Sequence, residues 1–99
     1  MILEAGLLRI RPGQEAEFER AFRAASPIIA AAEGYLSHSL SRSVESPSTF
    51  LLLVRWRAIE DHVTGFRGSA AFLEWKRLLH HFYEPAPSIE HFRSVVGEP

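Results

Sequence analysis

The spacing of apolar and polar residues divides the chain into strands and helices. Residues 2–10 are mostly apolar and predict a strand covered on both faces. After Pro12 and Gly13, apolar residues recur at helical spacing, and this stripe consists of Phe18, Phe22, Ala25, Ile29 and Ala32. Pro27 lies inside the stripe and should kink or split the helix, and Gly34 should end it.

The middle of the chain has the pattern of two strands joined by a turn. Residues 35–44 alternate between apolar and polar side chains, as expected of a half-exposed strand. Residues 45–48 form a turn, and residues 49–57 are typical of a strand buried on both faces. If the turn has four residues, Leu40 pairs with Leu53 and His38 pairs with Arg55.

A second helical region and a final strand complete the pattern. Residues 59–66 should begin the helical region, which glycines at 65 and 68 interrupt. Ser69 is suited to cap a helix over residues 70–82, whose apolar stripe consists of Phe72, Trp75, Leu79 and Phe82. Prolines at 85 and 87 should stop this helix, and residues 88–96 alternate as a last strand.

The order of elements, βαββαβ, predicts one α+β domain over residues 1–99. It is the ferredoxin-like split βαβ arrangement, in which a four-stranded antiparallel sheet carries two helices on one face. Because the first and third strands are apolar on both faces, the second sheet face needs a cover. We therefore expect a homodimer in which two sheets pack face to face.

Composition excludes several classes of function. The net charge is −1, so no global field would attract nucleic acid or anionic lipid. The chain has no cysteine, which removes disulfides and thiolate chemistry. No apolar run is long enough to span a membrane and the first residues are not a secretory signal, so we expect a cytoplasmic protein.

The second half of the chain resembles the antibiotic biosynthesis monooxygenase family, small proteins of the dimeric α+β barrel fold. The resemblance rests on a strand ending in Trp, an acidic helix start, a Ser before Phe, and a closing strand. These are residues 52–56, 60–62, 66–69, Phe72 with Trp75, and 89–92. It implies a cofactor-free oxygenase, with a small aromatic substrate and molecular oxygen as its partners.

The chain departs from the family pattern at two places. The oxygenases of the family place an Asn on the first strand, whereas this chain has no Asn and carries Glu4, Ala5, Gly6 and Leu7 there. Haem-degrading members place a Trp where this chain has Gly65 or Phe66. A non-catalytic ligand-binding or stress-associated module is therefore an alternative function, and haem binding or degradation is a further one.

The candidate catalytic residues are His62, Arg67 and Trp75. His62 could be a general base for a phenol, or a structural His bonded to a nearby carbonyl or carboxylate. Arg67 could hold a substrate anion, or lie on the surface. Trp75 occupies the apolar stripe, so it could belong to the core or form a cavity wall.

The candidate substrate-binding residues are Phe66, Phe72, His91 and Arg55. Phe66 shares a face with His62, and Phe72 has the same two interpretations as Trp75. His91 could face a cavity or the dimer interface, because strand parity alone does not decide between them. His80 and His81 are adjacent on a helix and point about 100° apart, so a role at the helix C-terminus is favoured over a metal site.

Overall fold

The computed structural model describes residues 1–98 and has the predicted order of elements. The strands are β1 (Ile2–Arg9), β2 (Tyr35–Arg42), β3 (Thr49–Trp56) and β4 (Ser88–Phe92). The helices are α1 (Glu15–Ala30) and α2 (Ala70–Leu79). A π-helical turn, Asp61–Phe66, precedes α2, and a 3₁₀ turn, His80–Phe82, follows it.

The strands form one antiparallel sheet in the order β2-β3-β1-β4. This is the ferredoxin-like α+β arrangement, and the predicted fold class is confirmed. The last strand is shorter than predicted, since it ends at Phe92 while Val95 and Val96 are almost fully exposed. An alternating pattern alone does not make a strand where no neighbouring backbone pairs with it.

The core lies between the two helices and one face of the sheet. Phe18 and Ile29 of α1 and Leu79 of α2 are fully buried against inward residues of β1 and β3 such as Leu8 and Trp56. Each large apolar side chain removed from water in this way contributes about 1.5–3 kcal/mol. The helical stripes predicted from the sequence are therefore the surfaces that position the helices over the sheet.

The other face of the sheet carries apolar side chains that no element of the chain covers. Leu7 and Leu51 are cross-strand neighbours on this open face, and they are 42% and 36% exposed. Phe92 at the end of β4 lies on the same face and is 46% exposed. The homodimer that would cover this face stays a prediction. Within residues 1–98, no helix is long and apolar enough to cross a membrane.

The predicted register of the β2–β3 hairpin is wrong by one residue. Leu40 pairs with Leu52 and His38 pairs with Val54. The hairpin closes with the Ser43 amide donating to the Thr49 carbonyl at 2.8 Å, so the loop has five residues instead of four. A shift of one residue moves each partner to the other sheet face.

Helix α1 continues through Pro27 to Ala30, so the predicted split is also wrong. Proline removes the backbone donor that would bond to the Arg23 carbonyl, but only three helical residues follow Pro27, and the Ala31 amide still donates to the Pro27 carbonyl at 3.2 Å. The Ser26 hydroxyl donates to the Phe22 carbonyl at 2.9 Å, which gives this carbonyl a further partner. Burial of Ile29 in the core holds the final turn in place.

Candidate functional site

The π-helical turn before α2 is anchored to the end of the α1–β2 connection. Asp61 accepts a hydrogen bond from the Ala58 amide at 3.1 Å through Oδ2. Its carboxyl group packs so closely on Gly34 that a Cβ there would lie 2.1 Å from Asp61 Cγ. Gly34 also has a φ of +83°, a conformation that side chains disfavour. The position of the turn therefore depends on a glycine at 34.

The wide turn places one histidine in the interior of the domain. The Arg67 amide donates to the His62 carbonyl at 3.0 Å, a bond that spans five residues. His62 and Phe66 are buried on the inner side of this turn, while Arg67 lies at its exposed end. The Ser69 hydroxyl then accepts from the Phe72 amide at 3.2 Å, which confirms the predicted cap of α2.

A cavity of about 320 Å³ lies between the sheet and the helices. Its aromatic walls are Phe66, Phe72, Trp75 and Tyr83. Phe66 contacts Phe72 and Trp75 edge to face, with ring centroids 5.5 and 5.9 Å apart. This volume is at the lower end of the range for small-molecule sites, about 300–1,000 Å³. The cavity is therefore suited to a compact, flat, apolar molecule.

A chain of three polar groups, two of them buried, begins at this cavity. Glu4 Oε1 accepts a hydrogen bond from Trp56 Nε1 at 2.9 Å and lies 3.4 Å from His62 Nε2. On the other side of the same ring, His62 Nδ1 lies 2.7 Å from His91 Nε2, at hydrogen-bond distance. Glu4 and His62 are each only 4% exposed. Because the two contacts use opposite nitrogens of His62, the three groups form a line rather than a cage around one point.

Burial and nearby charges shift the pKa values of Glu4, His62 and His91. Burial lowers the pKa of His62 to about 3, and the positive charges of Arg67 and His91 act in the same direction. Burial also lowers the pKa of His91, again with a contribution from Arg67. The pKa of Glu4 is raised by burial, and the Trp56 hydrogen bond and the Arg67 charge oppose this shift. His62 is thus an uncharged imidazole beside a carboxyl group that holds its proton more tightly than usual.

The structure brings most of the candidate residues to one place. His62, Arg67, Trp75, Phe66 and Phe72 all line the cavity. Trp75 is both core and wall, because its ring is 5% exposed and still borders the cavity.

Two candidates from the strands lie elsewhere. His91 faces the helix side of β4 and meets the cavity through His62. Arg55 lies on the open sheet face, where its guanidinium is 3.4 Å from Ser37 Oγ, so it does not line this cavity, and its part in substrate binding stays a prediction. His38 lies on the helix side and contacts Tyr35 and Ser26, so the expected pair of His38 with Arg55 is wrong. The five-residue loop and strand alternation explain both results.

Sequence reasoning did not single out Glu4, Trp56 or Tyr83 as parts of the site. One signal for Glu4 was available: it is a charged residue on the same strand face as Ile2 and Leu8, which are apolar. A carboxylate on a face that packs into a core is costly unless it is paired. Tyr83 gave no comparable signal, since it follows the helix in a segment without a regular pattern.

Comparisons with known proteins place this architecture in a family. Residues 1–78 match the family model described as antibiotic biosynthesis monooxygenase. The chain is 54% identical over 95 residues to the uncharacterised protein YczJ of Bacillus subtilis (strain 168), covering 96% of this chain and 100% of YczJ.

Solved structures agree with this match. A Bordetella bronchiseptica protein assigned to the antibiotic biosynthesis monooxygenases is 34% identical, with a TM-score of 0.92 and coverage of 96% of this chain and 97% of that one. SnoaB, a cofactor-independent oxygenase from Streptomyces nogalater, shares the fold at 19% identity, with a TM-score of 0.81 and coverage of 99% and 96%. From its sequence and its fold, this chain belongs to the antibiotic biosynthesis monooxygenase family.

Proposed function

We propose that the protein is a cofactor-independent monooxygenase of an electron-rich aromatic or quinol-like small molecule. The observation that carries this proposal is a cavity that joins flat aromatic walls to a buried imidazole and a cation, His62 and Arg67. An aromatic substrate would stack among Phe66, Phe72 and Trp75. Its ionisable hydroxyl would lie toward the polar end of the cavity.

The chemistry requires an anion in a site from which water is excluded. Loss of the hydroxyl proton makes the ring electron-rich enough to pass an electron to oxygen, so the substrate supplies the reducing power. For an anthrone, the methylene carbon becomes a carbonyl with one oxygen atom, and the other oxygen atom leaves as water with the two methylene hydrogens. Electrons and atoms then balance without an added reductant.

The candidate residues have distinct roles in this scheme. Arg67 is a permanent cation at the cavity and would stabilise the substrate anion. His62 would take part in removing the hydroxyl proton, and in its neutral form one ring nitrogen can accept a proton. The aromatic walls would hold the ring in place and limit the access of water.

Oxygen uptake with a panel of hydroxylated naphthoquinols and anthrones tests this function. We expect the wild type to exceed the uncatalysed rate with at least one compound, and His62→Ala to lose about 100-fold of that rate, the usual worth of a positioned acid or base. His81→Ala is a matched control, because His81 is exposed and outside the cavity lining. The oxygenase function is rejected if wild type and His62→Ala both match the uncatalysed rate with every compound.

A second candidate function is a non-catalytic module that binds a small ligand. The absence of Asn favours it, because the oxygenases that the sequence resembles use an Asn on the first strand. In this case, calorimetry would detect binding of a member of the same panel while oxygen uptake stays at the uncatalysed rate. Substitution of Trp75 by Ala would then weaken binding through loss of a cavity wall.

A further inference from the structure

We infer that Glu4 is the group that takes the proton from the substrate hydroxyl, and that His62 and His91 form a relay between this carboxylate and solvent. The inference deepens the oxygenase function and rests on it for the identity of the proton donor. It starts from the position of Glu4, a residue of β1 that lines the cavity and whose Oε1 lies 3.4 Å from His62 Nε2.

The geometry leaves Glu4 available for substrate. Trp56 and His62 both contact Oε1 of the carboxyl group, at 2.9 and 3.4 Å. These two contacts hold the side chain in place and leave Oε2 for a third partner. A base must come within hydrogen-bond distance of the proton that it removes, and a carboxylate at the cavity wall can do so. His62 is less suited to act alone, because both of its ring nitrogens already have neighbours.

The three groups form a continuous path for a proton. A protonated Glu4 can donate to His62 Nε2 while His62 donates from Nδ1 to His91 Nε2. His91 is only partly buried, so a proton that reaches it can leave to water. One proton leaves the substrate, one reaches solvent, and Glu4 returns to the carboxylate. The same path in reverse returns a proton to the oxygen that leaves as water.

The charges around the path disfavour a lasting imidazolium, so His62 must accept a proton at Nε2 as it gives one up from Nδ1. Arg67 lies close enough to lower the pKa of His62 and of His91, so an imidazolium in the relay does not hold its proton. Burial raises the pKa of Glu4, which makes it a stronger base than an exposed carboxylate. Arg67 would also stabilise the substrate anion. One cation would therefore hold this anion and disfavour a proton on the two histidines.

The test uses proton transfer without oxygen chemistry. A naphthol is bound under anaerobic conditions at neutral pH, and its ultraviolet spectrum reports whether it is neutral or ionised. We expect the wild type to bind naphtholate, and Glu4→Gln to bind only neutral naphthol. The amide of Gln has nearly the size of the carboxyl group and can still accept from Trp56, so the fold should be kept. Glu17→Gln on the exposed side of α1 is the matched control and should behave as the wild type.

A second variant separates the relay from a structural role. With His91→Phe, Glu4 still takes the proton, so the amount of naphtholate at equilibrium should stay unchanged. The release of that proton to water, followed in stopped flow with a pH-indicator dye, should slow about tenfold or more, because the outlet is blocked. A merely structural role would change the amount and the rate together.

The outcomes are distinct for the two proposals. If the wild type binds no naphtholate, or if Glu4→Gln binds it as the wild type does, the relay is wrong whatever the activity. An equal rate of proton release in His91→Phe would remove His91 from the path. If the wild type ionises naphthol but no compound of the panel drives oxygen uptake, the relay stands and the oxygenase function fails.

Discussion

The imidazole of His62 lies nearly parallel to the indole of Trp56, with ring centroids 5.2 Å apart and 17° between the planes. The same indole donates its Nε1 hydrogen to Glu4 at 2.9 Å. One tryptophan at the end of β3 therefore supports both members of a buried acid–base pair. Because Trp56 is itself fully buried, the surrounding core fixes its position.

Replacing Trp56 by Phe should keep a ring beneath His62 and remove the donor to Glu4. A buried carboxyl group without this partner should lower the free energy of unfolding by about 1–3 kcal/mol in addition to the loss of packing. The pKa of Glu4 should rise further, since the Trp56 hydrogen bond now lowers it. Urea denaturation at one fixed protein concentration measures the stability.

The control for this prediction is Trp75→Phe. It changes another buried tryptophan at the same cavity, but Trp75 makes no contact with Glu4 among the hydrogen bonds of residues 1–98. The supporting role of Trp56 would be contradicted if the two variants lost the same stability and if the Glu4 carbon signal titrated alike in both.

Stability should fall as the pH is lowered through the range in which unfolded histidine becomes charged. The pKa of His62 is about 3 in the folded protein, below the ordinary value of 6.5. Between these values, the unfolded chain binds a proton that the folded protein does not. The free energy of unfolding should therefore decrease as pH falls from about 6.5 toward 3, by about 1.4 kcal/mol per pH unit for this group.

Groups near His62 also change the pH dependence of the free energy of unfolding, and substitution of His62 isolates its own part. Burial raises the pKa of Glu4, so above its ordinary value of 4.5 the folded protein holds a proton that the unfolded chain has lost, which acts in the opposite sense. His91 has a lowered pKa and acts in the same sense as His62. His62→Gln should flatten the pH dependence measured by urea denaturation, whereas His81→Gln should leave it as in the wild type.

Local pattern was enough to predict the elements and one cap. The apolar stripe of α1 and the Ser69 cap depend on residues within a few positions of each other, and both are as expected. The hairpin register depends on the exact length of the loop after Ser43, which composition does not specify. The sequence predicts an ordinary helix where the π-helical turn forms. The hydrogen bonds of a π-helix span five residues, and a segment of six residues is too short for this difference to change the apolar pattern.

The sequence predicts the region of the chain that forms the candidate site, but not the contacts that its residues make with distant parts of the chain. His62, Arg67 and the aromatic residues lie close in sequence, so they could be grouped before the fold was known. His62 and His91, which are in contact, are 29 residues apart in sequence. The contact between His62 and Glu4 joins the turn before α2 to β1. Such pairs depend on the strand order, in which β1 separates β3 from β4.

Gly34→Ala should displace the π-helical turn. The residue has a φ of +83°, and a Cβ would lie 2.1 Å from Asp61 Cγ, so the Asp61 side chain must move. Since Asp61 anchors the turn that carries His62, the cavity should lose both stability and ligand affinity. We expect thermal denaturation to show a loss larger than the roughly 1–2 kcal/mol of left-handed strain alone.

Gly13→Ala is the matched control for this substitution. Its φ is +90°, so it has similar strain, but nothing lies within 4 Å of the position of its Cβ. The difference between the two variants therefore measures the collision with Asp61. Equal stabilities and equal naphthol affinities for the two would contradict the anchoring role of Gly34.

The open face of the sheet should be the interface of a homodimer. Leu7 and Leu51 are exposed neighbours on adjacent strands, and Phe92 extends the apolar surface to β4. Burial of this surface against a second copy would remove it from water, which drives association. Sedimentation at micromolar concentration should give twice the 11.2 kDa mass of one chain.

Leu51→Glu tests which face forms this dimer. A carboxylate buried without a partner costs several kcal/mol, so the variant should sediment as a monomer. Leu73→Glu is the control, because Leu73 lies on α2, away from the open sheet face, and is 67% exposed. Dissociation by the helix substitution instead of the strand substitution would move the interface to α2. A wild type that sediments as a single chain would mean that the apolar sheet face is stable in water.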